Sequence, residues 1–255
     1  MSILVCAATR SELHACQRAI HESSSPGFEA LLTGVGPTRA ASALGDRLAR
    51  GRLPHLVVST GLVGILGGPL SVGSWITAKQ ISELGAGSLV DVAVDLRLGP
   101  GPSHACRVVS ANRVLRTLDV PWVNPSVPLA ADMESAALAR VSARHGRPLM
   151  VLRLVSDTPS DSLPAFLSPL AAAMAATRVR SRVAHAFRGA GMCLVDPRGM
   201  VRLVHAGREW TRSLALGWRR FAPTLAAEHS WPRRPLEEKA VREVIEDRRS
   251  SRAAR

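Results

Sequence analysis

A few short stretches of this 255-residue chain carry side chains that could move protons or hold a polar ligand. Glu12 stands just beyond the first apolar run. Asp132-Met133-Glu134 precedes an alanine-rich stretch, and Ser156-Asp157-Thr158 ends an apolar run interrupted only by Arg153. Two glycine-bearing turns, Gly34-Val35-Gly36 and Thr60-Gly61, follow other apolar runs. Carboxylates gathered at one mouth can act as general acid and base, and a loop of backbone N–H groups can hold water or an anion. Each acid also has a plainer use. Asp132 could cap a helix, and Glu134 could meet its first-turn dipole. Asp157 could cap a turn, and Glu12 could be an exposed helix residue. Only their joint placement favours chemistry.

Elements alternating along the chain would bring them together. Ile3–Ala8, Ala30–Val35, Leu56–Thr60, Gly73–Ala78, Arg107–Ser110 and Leu149–Val155 read as strands, and Ser88–Leu98 as a strand or hairpin arm before the turn Gly99–Ser103. Arg10–Ile20, Thr38–Leu48 and Ala131–His145 read as helices, with Pro37 in the first turn of one and Gly146 closing another. This alternation predicts an α/β layered sheet, in which ligands gather at the carboxyl ends of strands.

Composition narrows the function classes. An apolar fraction of 46% suits a globular core, and no uncharged apolar run approaches the roughly eighteen residues of a spanning helix. The N-terminus lacks a basic leader, and Cys6, Cys16, Cys106 and Cys193 show neither metal-ligand nor CxxC spacing. A cytoplasmic protein with reduced cysteines and no metal is expected. The net charge of +13 sits mostly beyond residue 177, where 18 Lys/Arg meet 8 Asp/Glu. Four Phe, five Trp and no Tyr leave few rings for stacking bases, so specific nucleic-acid binding is not expected.

In residues 199–221, Met200, Leu203, Val204, Gly207, Trp210, Leu214, Gly217, Trp218 and Phe221 fall on one helical face, with Arg202, His205, Arg208, Arg212 and Arg219 on much of the remainder. Such a basic amphipathic helix either touches an anionic membrane peripherally or packs on its own domain or a neighbouring subunit. The division expected is an α/β domain over 1–190 and a basic helical extension with a polar tail over 191–255.

The segment Ala131-Asp132-Met133-Glu134-Ser135-Ala136-Ala137, followed by Arg153-Leu154-Val155-Ser156-Asp157, resembles the paired signature of the nucleoside phosphorylase/nucleosidase superfamily. It is most similar to the methylthioadenosine/S-adenosylhomocysteine nucleosidases. Thr33-Gly34-Val35-Gly36-Pro37-Thr38-Arg39 resembles the family's glycine loop, and Ser59-Thr60-Gly61-Leu62-Val63-Gly64 its Asn-Thr-Gly-x-Ala-Gly segment. The matches keep the family's order over residues 1 to about 160.

The resemblance implies a three-layer fold with a central mixed sheet flanked by helices, and cleavage of the N-glycosidic bond of a purine nucleoside. Asp157 would then protonate the adenine N7, and Glu12 would activate water. Glu134 would hold the ribose hydroxyls and Met133 would lie under the sugar, with Ser156, Thr60 and Gly61 also at the substrate. Gly34, Gly36 and Arg39 would hold the nucleophile, water in a hydrolase or phosphate as co-substrate in a phosphorylase. No metal or organic cofactor is implied, and a homodimer is.

Departures from the pattern keep other readings open. Leu62 stands where the family has a small or polar residue, and the Ser110-Ala111-Asn112-Arg113 stretch lacks the phenylalanine that stacks on adenine. The short middle and arginine-rich tail resemble the hopanoid-associated branch, which implies adenosylhopane, a lipid nucleoside, as substrate. A non-catalytic nucleoside-binding protein on the same scaffold is a further alternative.

Overall fold

A computed structural model describes residues 2–85, 88–120, 124, 126–161, 164, 166–176 and 196–227. Its first strand, β1 (Ile3–Ala7), is apolar throughout and buried on both faces, as a central parallel strand must be. It pairs in parallel with β2 (Phe28–Leu32) on one side and β3 (Leu56–Gly67) on the other. The chain continues through β4 (Trp75–Leu84), β5 (Leu89–Asp91), β6 (Leu96–Arg97), β7 (Ser103–Ser110), β8 (Leu129–Asp132) and β9 (Leu149–Asp157). All nine strands join one mixed sheet. Because β3 bonds to both β8 and β9, the path β3–β8–β7–β4–β9 closes on itself as a ring.

Among the described residues, five α-helices flank the sheet: α1 (Arg10–Glu22), α2 (Pro37–Arg50), α3 (Ser135–Arg144), α4 (Leu167–Ala175) and α5 (Pro197–Ala227). On one side, Leu44, Leu48, Leu138 and Val141 of α2 and α3 meet Leu4, Cys6, Val57 and Val151 of the sheet. On the other, Cys16 and Ile20 of α1 and Leu214, Trp218 and Phe221 of α5 meet Val5, Val58, Leu152 and Leu154. The three-layer α/β arrangement expected from the sequence is the one found.

Several boundaries differ, each for a non-local reason. The strand expected to stop at Thr60 runs on to Gly67, because Gly61–Gly64 keep pairing with β9 and Gly64–Gly67 with β8. The stretch expected as one helix over Ala131–His145 splits. Ala131 and Asp132 belong to β8, and α3 starts only at Ser135, whose N–H is accepted by the Asp132 carboxylate. The strand expected over Arg107–Ser110 begins at Ser103, where β4 supplies its partner. Helix α4 was not anticipated. The boundary near residue 190, Cys193 and the polar tail from 228 onward lie outside the described residues.

The C-terminal helix packs on its own chain. Trp218 is fully buried, and its indole Nε1–H donates to Thr60 Oγ1 at 3.0 Å. Cys16 of α1 packs against the same tryptophan, so the contact ties α5, β3 and α1 together. Gly217 leaves room for the Trp75 ring, which makes an edge-to-face contact with Phe221 at 4.9 Å between centroids. Trp218→Phe removes the indole N–H donor of the Thr60 oxygen and part of a fully buried ring, so it is expected to lower unfolding free energy by at least about 1–2 kcal/mol. Urea denaturation would measure this; an unchanged midpoint would show that the bond contributes nothing net.

Candidate active site

Both glutamates lie beside the Arg153 guanidinium. Glu12 lies one turn into α1, within a capping box in which Thr9 N–H and Oγ1–H both donate to its Oε2, at 2.9 and 2.7 Å. Its Oε1 accepts the Leu62 N–H at 3.0 Å. Glu12 is therefore buried rather than an exposed helix residue: one oxygen caps α1 and the other is turned onto β3. Gly61 has φ +135°, and a Cβ there would meet Glu12 Oε1 at 2.5 Å and Arg153 Nη1 at 3.1 Å. Only glycine lets the carboxylate and the guanidinium approach so closely.

Glu134 reaches the same place from the start of α3. Its Oε1 accepts the Gly36 N–H at 2.8 Å, and Arg153 Nη2 stands 3.7 Å from its Oε2. Gly36 has φ +91°, a backbone state open to glycine that aims its N–H at the carboxylate. Burial pushes the Glu134 carboxyl up to about 7, with Arg153 opposing the rise and Asp132 and Glu12 adding to it. Between the ordinary 4.5 and about 7, the folded chain holds a proton that the unfolded chain has released. Stability is therefore expected to fall as pH rises across that window. Urea midpoints at about pH 5 and about pH 7.5 would measure the slope. Glu134→Gln should reduce it, and an equal slope in the variant would place the proton elsewhere.

Arg153 is the residue that sequence reasoning passed over. Its Nη2 donates to Asp132 Oδ2 at 2.7 Å and to Ser59 Oγ at 3.1 Å, and Nη1 to the Thr60 carbonyl at 3.4 Å. Asp132 also accepts Ser110 Oγ–H at 2.5 Å and the Ser135 hydroxyl, so the ion pair is fully enclosed. A signal was available: one arginine in an otherwise apolar, doubly covered strand needs a buried anion. Asp132 thus acts as the partner of Arg153 and as a helix cap together.

Asp157 stands apart from this cluster but on the same two strands. It pairs in register with Gly64, whose Cβ would lie 2.7 Å from Asp157 Oδ2. Gly61 and Gly64 are three residues apart on β3, about 10 Å at strand rise. The register shift between Val63 and Gly64 leaves Ser156 as the extra residue of β9 and sets Asp157 beside Gly64. Ser156 Oγ lies 2.6 Å from Asp157 Oδ1 and 3.2 Å from the Val63 carbonyl. Burial raises the Asp157 carboxyl; the Ser156 hydroxyl opposes that rise and nearby Asp161 adds to it. Asp157 lines a cavity of about 280 Å³ with Ile65, Leu66, Leu115, Thr117 and Asp161. Glu12 and Glu134 are not on its walls.

The remaining expected residues divide. Gly34, Gly36 and Gly61 lie against the glutamate–arginine cluster or its loop, and Met133 is half-buried just before α3. The Thr60 side chain faces away, toward α1 and α5, so only its carbonyl reaches the cluster, through Arg153. Arg39 lies over Gly34 and donates from Nη2 to the Ala176 carbonyl at 2.9 Å, at the end of α4. Among the described residues no His/Cys/Asp/Glu cluster could hold a metal ion.

No family model matches the chain, and no curated protein matches it in sequence. Solved structures do match its fold. One is a mutant 5′-methylthioadenosine/S-adenosylhomocysteine nucleosidase of Helicobacter pylori with 5′-methylthioadenosine in the active site. It is 12% identical, with a TM-score of 0.57 over 88% of this chain and 98% of that one. Another is a putative nucleosidase of the same kind from Borrelia burgdorferi bound to adenine, 14% identical, with a TM-score of 0.53 over 63% and 88%. A futalosine hydrolase mutant of Helicobacter pylori is 17% identical, with a TM-score of 0.51 over 72% and 99%. At these identities the likeness establishes the architecture: the chain shares the α/β fold of these solved structures.

Proposed function

We propose that the chain hydrolyses the N-glycosidic bond of a purine nucleoside and releases adenine. The observation that supports this most is the division of acids along β3. Glu12 and the buried Arg153, which also faces Glu134, lie against Gly61, and a carboxyl with a raised proton affinity stands beside Gly64, about 10 Å along the strand.

Adenine leaves poorly as an anion, so an acid must protonate N7 as the bond breaks. Asp157 suits that role because burial favours its protonated form. Asp161 on the same cavity wall offers an acceptor for the exocyclic amine. As the bond opens, the ribose gains oxocarbenium character. Glu134 would hold the ribose hydroxyls and, once ionised above about pH 7, its negative charge would favour the cation. Glu12 would take the proton of the attacking water, and Met133 would lie under the sugar.

Water is favoured over phosphate for a specific reason. The Gly36 N–H that could cradle an anion already bonds the Glu134 carboxylate, and Arg39 is turned to the Ala176 carbonyl. A phosphate placed there would face acids. Purified protein with methylthioadenosine, S-adenosylhomocysteine and a lipid-linked adenosine, with and without phosphate, is the test. Adenine release independent of phosphate is expected. Strict phosphate dependence would make the enzyme a phosphorylase, and no release from any substrate would leave a nucleoside-binding protein.

A further inference from the structure

We propose that the outward face shared by α1 and α5 docks on anionic lipid headgroups. This is the face opposite the buried tryptophan stripe, and it does not depend on the reaction proposed above. Helices α1 and α5 lie side by side in one layer, with their apolar faces sunk into a common core. Most of the charged groups they turn outward are basic. Arg202, Arg208, Arg212 and Arg220 of α5 and Arg10 of α1 are exposed, and among the described residues none has an ion-pair partner. Arg18 and Arg219 both pair with one acid, Glu22. Glu209 is the only acid within α5.

The opposite helical layer is built differently. There Arg47 pairs with Glu29, Arg50 with Asp46 and Arg140 with Glu83. Among the described residues Arg39, Arg52, Lys79 and Arg144 also lack ion pairs, but they stand on separate elements, whereas α5 carries several unpaired arginines on one helix. An isolated arginine on a surface says little, but a row at helical spacing, without counter-charges, sums to a field that attracts a polyanion.

The apolar residues of the same face favour lipid over nucleic acid. Val201, Val204 and Leu216 are 57%, 47% and 50% exposed on the helix that carries Arg202, Arg208 and Arg212, with Val201 and Leu216 flanking Arg208 and Arg212 at helical spacing. Aliphatic side chains between arginines can enter the headgroup–acyl boundary while the guanidinium groups meet phosphates. A nucleic-acid surface would gain nothing from them. The rings that could stack on bases, Trp218 and Phe221, are turned into the core.

Co-sedimentation of the full chain with phosphatidylserine-containing phosphatidylcholine vesicles tests this, with phosphatidylcholine vesicles alone as the comparison. Binding to the anionic vesicles only, weakening with salt, is expected. Each basic residue near such a surface changes partitioning by about fivefold, so the triple variant Arg202→Gln, Arg208→Gln, Arg212→Gln should lose on the order of a hundredfold. Val204→Ser with Leu216→Ser should weaken binding and leave its salt dependence intact. Arg50→Gln with Arg144→Gln, on the other helical layer, should change nothing. Thermal melts of each variant would show whether the fold is kept. No binding by the intact chain overturns the proposal, as does binding that survives the triple change. Duplex DNA that strips the chain from vesicles at equal ionic strength, through the same arginines, would make the face a nucleic-acid surface instead.

Discussion

Asp157→Asn is expected to slow adenine release by about 10²–10⁴-fold, the range that positioned proton transfer supplies. The amide keeps the size and can still donate a hydrogen bond toward N7, but it has no proton to transfer. Stability should not suffer. Burial already disfavours the ionised carboxylate, so a neutral isostere removes a desolvation penalty and leaves the Ser156 contact possible. The informative pair of measurements is turnover at saturating substrate and the thermal midpoint. Slow turnover with an unchanged or raised midpoint fits an acid. Undiminished turnover would move the role to another group, and Asp161 on the same cavity wall would be the next to change.

The second large effect concerns folding. Arg153→Met is expected to cost about 3–5 kcal/mol, because it removes the cation from a buried cluster and leaves the acids behind. Asp132 would keep its serine partners but lose its charge partner, and Glu134 would lose the strongest influence holding its proton affinity down. The destabilisation should therefore be greater above pH 7 than at pH 5, as flagged by the direction of the Glu134 shift. Adding Asp132→Asn to Arg153→Met should recover part of the loss, since the pair would then go as a unit. Equilibrium urea unfolding of the four proteins closes the cycle. A loss below about 1 kcal/mol for Arg153→Met would mean the ion pair is balanced by its own desolvation.

Much of this molecule was legible in one dimension. The period of apolar residues over Arg10–Ile20 and Thr38–Leu48 marked α1 and α2 to within a turn, and the apolar runs at Ile3 and Leu149 marked two central strands. The positions of Glu12, Glu134 and Asp157 at element ends could also be read directly, since helix and strand signals are local. Arg153 was readable too, as a charge in a buried strand, but only by asking where its partner must be.

What remained hidden depends on residues far apart in the chain. The continuation of β3 through Gly61 needs β8 and β9 as neighbours, and no local pattern names them. The division of residues 131–145 into strand and helix follows from the pairing of Asp132 with β7 and its bond to Arg153, which override an alanine-rich propensity for helix. The one-residue shift that sets Asp157 beside Gly64 exists only between two paired strands. So too for α5: its two faces were plain from helical period, but which one meets protein and which meets solvent was settled by the groove that α1 and the sheet leave for Trp218. Sequence alone determined the identity of the chemically capable groups and the local elements carrying them. Tertiary structure alone decided their distances, because hydrogen-bonded register and side-chain packing act between segments that the chain keeps apart.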